Sequence, residues 1–272
     1  MSSAKMLPLL GFVVVAAMFA LPSREAPAPQ SGVHAIVDIK SGMLFGGTAG
    51  GKWIGPGHLA PRLAEGDSYR LYGMTRALGP ATGSKPVSPG APCEDNRIVS
   101  LHPNGNHSGI AIGGAWNAMP RPVRQEDVRQ PVYQQAARAI LAKAGMGRAR
   151  VHITQILRAD LDGDGQDEVL ICAANPTHQG TPQARRGDYS FIAVRKVVGG
   201  RVKTILLDQE FHVKDCPNCV PDTFRIAGVL DVNGDGRMEV VTGWQYYEGD
   251  GMTIYTIDGR KARPVLAWAC GA

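Results

Sequence analysis

Two short acidic segments constrain this chain more than anything else in it. The first places Asp160, Asp162 and Asp164 at alternate positions, separated in part by Gly163 and Gly165, and closes on Glu168. The second repeats the arrangement with Asp231, Asn233, Asp235 and Glu239 around Gly234 and Gly236. Alternate spacing lets a tightly coiled loop turn its oxygens inward. Glycine at the sixth position supplies a left-handed backbone that a side chain would resist. These hard oxygens, with the main-chain carbonyls of Gln166 and Arg237 at the seventh position, form a ligand set suited to Ca²⁺. One Asp/Gly-rich run is also what a solvated turn looks like. Two copies, each ending on Glu at the same offset, make two Ca²⁺ sites the expectation.

An EF-hand would need Glu at position 12 and a helix on either side. Ile171 and Thr242 stand at that position. The flanks are short β-branched runs, residues 151–157 and 169–172 around the first loop and 224–230 and 240–242 around the second. Each loop is therefore expected to join the strands of a β-hairpin. Two further strand-like runs follow each hairpin, 189–194 and 202–207 after the first, 252–256 and 265–268 after the second. The unit is four strands with an acidic loop, like a propeller blade, and it is present twice.

On Asp160, Asp162, Asp164, Gly165 and Glu168, with Asp231, Asn233, Asp235, Gly236 and Glu239, residues 151–272 resemble the FG-GAP or VCBS repeats of integrin-α-like propellers. The resemblance implies that these side chains hold Ca²⁺ with the position-seven carbonyls of Gln166 and Arg237. It implies blade-like sheets in a protein carried outside the cytoplasm. A closed propeller takes about 4 to 8 blades, and residues 33–150 have room for fewer than two more. The expected fold is mainly β. Two four-stranded repeats (151–221 and 222–272) pack on a β-rich region at 33–150, with one α-helix covering an edge. The first loop has four carboxylates and the second has three plus Asn233. Ligand charge thus predicts tighter binding at the first.

Upstream, residues 6–21 form an apolar run behind Lys5, followed by a Pro/Ala/Ser linker to residue 32. This reads as an export signal, with cleaved peptide and uncleaved anchor both open. Gly46 to Lys52 fits the start of a phosphate loop, but Trp53 replaces the Mg²⁺-binding hydroxyl and Ile54-Gly55-Pro56-Gly57 is not expected to open a helix. A hairpin turn is the better reading. Residues 77–108 read as loop. One helix is expected at about 131–145, with Pro131 first, Tyr133, Ala136, Ala137, Ile140, Leu141 and Ala144 on one face, and Gly145 at its end.

Of the five cysteines, Cys216 and Cys219 make a CxxC outside a strand-to-helix context. The readings are a local disulfide, a thiol-redox pair, or half a zinc site with His212. Cys93–Cys270 is a permissible second bridge, and Cys172 is expected to be buried. The net charge of +5 is scattered, so nucleic acid is not an expected partner. No GxSxG or HExxH constellation occurs. Tyr246 and Tyr247 offer either a sugar or peptide platform or ordinary packing.

The whole reads as an exported Ca²⁺-binding β-repeat protein of the cell envelope, with a structural role or an unknown protein or glycan ligand. Membrane contact is expected only through the N-terminal apolar segment. The alternatives are an extracytoplasmic hydrolase with its site in residues 33–150, or a CxxC thiol-redox protein.

Overall fold

The computed structural model describes residues 32–103, 107–175 and 183–271. The apolar run and most of the linker before residue 32 lie outside them. No helix among the described residues is long and apolar enough to cross a membrane.

The described residues are mainly β, built of three antiparallel sheets, none closed into a barrel. They begin with β1 (Val33–Asp38), β2 (Leu44–Ala49) and β3 (Lys52–Ile54), then a one-turn helix α1 (Pro56–Leu59) and a 3₁₀ turn (Ala60–Arg62). β4 (Asp67–Tyr72), β5 (Ala77–Gly83), β6 (Leu101–His102) and β7 (Ile110–Ile112) complete a seven-stranded sheet in the order β3-β2-β1-β7-β4-β5-β6. After it come β8 (Arg124–Gln125) and helix α2 (Pro131–Lys143). β9 (Ile153–Ala159), β10 (Glu168–Ala174), β11 (Tyr189–Val198) and β12 (Arg201–Phe211) follow, and with β8 they form a five-stranded sheet ordered β12-β11-β10-β9-β8. The last sheet is a meander of β13 (Thr223–Leu230), β14 (Glu239–Gln245), β15 (Gly249–Asp258) and β16 (Lys261–Gly271).

Period-two alternation decides how these sheets stack. On β1, Ile36 faces one core while Ala35 and Val37 face another. On β14, Val240 packs toward Leu157, Leu170 and Ile192 of the five-stranded sheet, and Val241 packs toward Ile36, Phe45 and Ile112 of the seven-stranded one. The four-stranded sheet is therefore the middle layer. Its outer neighbours are capped in turn, the seven-stranded sheet by Leu59, Ala60 and Leu63 around α1. The five-stranded sheet is capped by Tyr133, Ala137, Ile140 and Leu141 of α2. Cys93 is bonded to Cys270 and Cys216 to Cys219, while Cys172 is buried as a free thiol.

Three expectations are corrected. Pro56 does open a helix, a single turn, because a residue with fixed φ and no N–H suits the first helical position. The described residues thus hold two α-helices. Residues 77–83 form a strand despite Gly79 and Pro80; β6 pairs only with Thr82 and Gly83, so Pro80 lies where that side of β5 is open. Finally, α2 covers a sheet face rather than an edge, since its apolar stripe meets Ile156, Ile171 and Phe191 on adjoining strands. The phosphate-loop fragment is the β2–β3 hairpin, turned by Gly50 and Gly51 at φ 56° and 75°.

Candidate metal centres

Both acidic segments are hairpin connections, and they are built alike. Ala159 pairs with Glu168 to close the first, Leu230 with Glu239 to close the second. In the first loop Asp160 accepts hydrogen bonds from the N–H groups of Gly163 (2.7 Å), Asp164 (3.1 Å) and Gly165 (3.0 Å). In the second, Asp231 does the same for Gly234 (2.7 Å), Asp235 (3.1 Å) and Gly236 (2.8 Å). The closing glutamates reach back to the second position, Glu168 to the Leu161 N–H at 2.8 Å and Glu239 to that of Val232 at 3.0 Å. Gly165 and Gly236 have φ of 86° and 83°, the left-handed backbone that the coil requires.

What differs is the surroundings. In the first loop Asp160, Asp162 and Glu168 each bring an oxygen within 4.8 Å of the others. Asp164 and Gln166 are exposed and stand outside that group. The group already has a cation. Lys196, whose side chain is 7% exposed, donates to Asp162 Oδ2 at 2.6 Å and to Glu168 Oε1 at 2.8 Å. Burial pulls its pKa down, but the two carboxylates more than offset that and hold it above the ordinary lysine value. Asp167 turns away to Arg124 and Arg158.

The second loop is deeper and carries no such charge. Asp231 and Glu239 are 3% and 2% exposed. Among the described residues, no Lys, Arg or His side chain pairs with Asp231, Asp235 or Glu239. The register that sets Val169 against Arg195 brings Lys196 to Glu168; setting Val240 against Tyr255 brings uncharged Thr256 to the corresponding place. Burial, partly offset by its backbone hydrogen bonds, pushes the Asp231 carboxyl up to about 6. Burial and then Asp235 push Glu239 well above the usual carboxylate range. Asn233 supports the loop, accepting from the Asp235 N–H at 3.0 Å and donating to Asp235 Oδ2 at 3.1 Å. Arg237 sends its guanidinium outward to the Ile257 carbonyl at 3.1 Å.

The loops also touch. Met238 N–H donates to the Leu161 carbonyl at 2.7 Å. Arg121 donates to the carbonyls of Asp160, of Leu161 at 3.0 Å and of Gly236 at 2.8 Å. Trp116 Nε1 donates to the Asp231 carbonyl at 2.7 Å. Residues 116–121 thus thread between the sheets and fasten both loops.

Lys196 and Arg121 are the residues that sequence reasoning missed. A signal for the lysine existed: it is in phase with Ser190, Ile192 and Val194, the inward face of β11. Arg121 sits in an irregular segment with no periodicity to announce it. The CxxC lies after β12 in a turn closed by Cys219 N–H on the Cys216 carbonyl at 3.2 Å. Both of its sulfurs are spent in the disulfide. Two disulfides are compatible with an extracytoplasmic location. No family model, curated protein or solved structure matches the chain.

Proposed function

We propose that this chain is an extracytoplasmic β-repeat protein of the FG-GAP/VCBS kind whose acidic hairpin loops take Ca²⁺ and hold its stacked sheets in register. Its role is structural or ligand-binding, in the cell envelope. One observation carries the reading: Asp231 and Glu239 of the second loop are buried and Asp235 is partly buried, and among the described residues no cationic side chain pairs with any of the three, although their oxygens stand farther apart than those of Asp160, Asp162 and Glu168. Buried charges without partners are costly, and a bound divalent ion would supply the missing positive charge. Asp231, Asn233, Asp235 and Glu239 would hold it, with the Arg237 carbonyl. At the first loop, Asp160, Asp162 and Glu168 would bind an ion only in competition with the Lys196 ammonium. This reverses the order that counting carboxylates suggests, and makes the second loop the stronger site.

Calcium titrated into EDTA-stripped protein is expected to raise Tm by about 5–10 °C once free Ca²⁺ is 100 times Kd, the equivalent of about 2.7 kcal/mol. The Glu239→Gln variant should lose most of that rise, whereas Asp164→Asn should keep it. Calorimetry showing no heat, together with an unmoved Tm in the parent protein, would sink the reading.

A further inference from the structure

Away from the loops, the edge strand β12 faces the side of the four-stranded sheet that carries Trp244, Thr253 and Tyr255. Between them lies a groove of about 910 Å³. Its charged lining is of one sign: Asp208, Asp222 and Glu248, with no Lys, Arg or His. Its aromatic wall is Trp244, Tyr246 and Tyr247. Trp244 and Tyr246 stack with centroids 6.0 Å apart, and Tyr247 meets Tyr246 edge-on at 5.8 Å. The indole runs beside Gly251 on the neighbouring strand, where a Cβ would come within 2.5 Å of its ring.

Only one of the Asp208 oxygens is spent on a structural hydrogen bond. Asp208 Oδ1 accepts from the Tyr255 hydroxyl at 2.8 Å, while Asp208 Oδ2 is buried with no hydrogen-bond partner among the described residues. Such an atom costs about 1–3 kcal/mol unless a donor reaches it. Asp222 is half-buried beside Glu210, which accepts its N–H at 2.7 Å. Burial, then the charges of Glu210 and Asp208, push its carboxyl up to about 6.

We propose that this groove binds an organic cation bearing N–H donors, a primary ammonium or guanidinium group, seated against the Trp244–Tyr246–Tyr247 wall with its donors on Asp208 and Asp222. Three features select that class. The single-signed lining calls for positive charge, and the aromatic faces attract it. Carboxylates on the lining accept hydrogen bonds, which a primary ammonium or guanidinium donates and a quaternary ammonium cannot. The groove is of the size that takes a small molecule or a few residues. No three of the groove's carboxylates lie close enough together to grip one metal ion. The inference uses no loop residue and stands apart from the calcium reading.

The test is calorimetric titration of the full chain at low ionic strength with millimolar Ca²⁺ present, so that acidic loops do not compete for the probe. Spermidine and an N-acetylated Lys-Gly-Lys peptide distinguish a free amine from a peptide side chain, and choline and cellotetraose serve as N–H-free and neutral probes. Spermidine or the peptide should bind in the micromolar range, at least tenfold tighter than choline or cellotetraose. Asp208→Asn, near-isosteric, should weaken binding at least tenfold, and Tyr247→Ala several-fold. Asp95→Asn, exposed and outside the groove's lining, should change nothing. Three results would overturn the proposal: no binding by either cation, cellotetraose binding as tightly as the cations, or equal weakening by Asp95→Asn and Asp208→Asn.

Discussion

Replacing Cys93 and Cys270 together with alanine is expected to lower stability by about 4–5 kcal/mol, the largest effect of any change considered for this chain. The bridge joins residues separated by 177 positions. Opening it restores to the unfolded chain most of the freedom of a loop of that length, worth about 5 kcal/mol by chain entropy. In the folded protein it ties the loop after β5 to the last strand. A second bond, Asn96 Nδ2 to the Ala269 carbonyl at 2.7 Å, spans the same gap. At about 2–4 °C per kcal/mol for a chain of this size, Tm should fall by roughly 10–15 °C. Cys216 and Cys219 are only three residues apart, so the matching double substitution should cost about 2 kcal/mol. Urea unfolding of both variants beside the parent measures the contrast. Equal losses would show that loop length is not what makes the long bridge matter.

Lys196→Met is the second large effect, and its size depends on calcium. Without divalent ions the variant is expected to lose about 3 kcal/mol, because removing one partner of a buried pair leaves the remaining charge uncompensated. The figure sits at the low end of the range because Asp162 keeps 20% of its side-chain exposure. Glu168, with 2% of its side chain exposed, bears most of the loss. Adding Ca²⁺ should restore most of the stability, since Asp160, Asp162 and Glu168 would then face the ion without a competing ammonium. Calorimetry should count one strong calcium site in the parent and two in Lys196→Met. A variant that melts like the parent in EDTA, or whose loss calcium does not repair, would show that Lys196 is a bystander.

Local chemistry explains which parts of this molecule could be read from the chain alone. The four strands around the acidic segments and the four that follow them were legible because β-branched and aromatic runs are bounded by Asp and Gly. Helix α2 was legible for a similar reason, with Pro131 at its start and Gly145 past its end. α1 was missed because a single turn is too short to show periodicity. β5 was missed because its Gly and Pro argue locally against a strand that pairing with β4 imposes. The site divides the same way. The carboxylates are declared by their spacing, whereas the lysine that neutralises two of them arrives from β11 through strand register. No count of acidic residues within a loop can foresee a charge delivered from the next strand. The groove at Asp208 is less legible still, since its walls come from two sheets.

The thread of residues 116–121 gives the paired loops a shared mechanical fate. Arg121 holds carbonyls on both sides at once, so displacement of one hairpin tip pulls on the other. By reciprocity, whatever a cation bound at the Asp231 coil did to affinity at Asp160, a cation at Asp160 would do to affinity at Asp231 by the same free energy. A cation filling either cradle would then be sensed at its twin without any signal crossing the sheets.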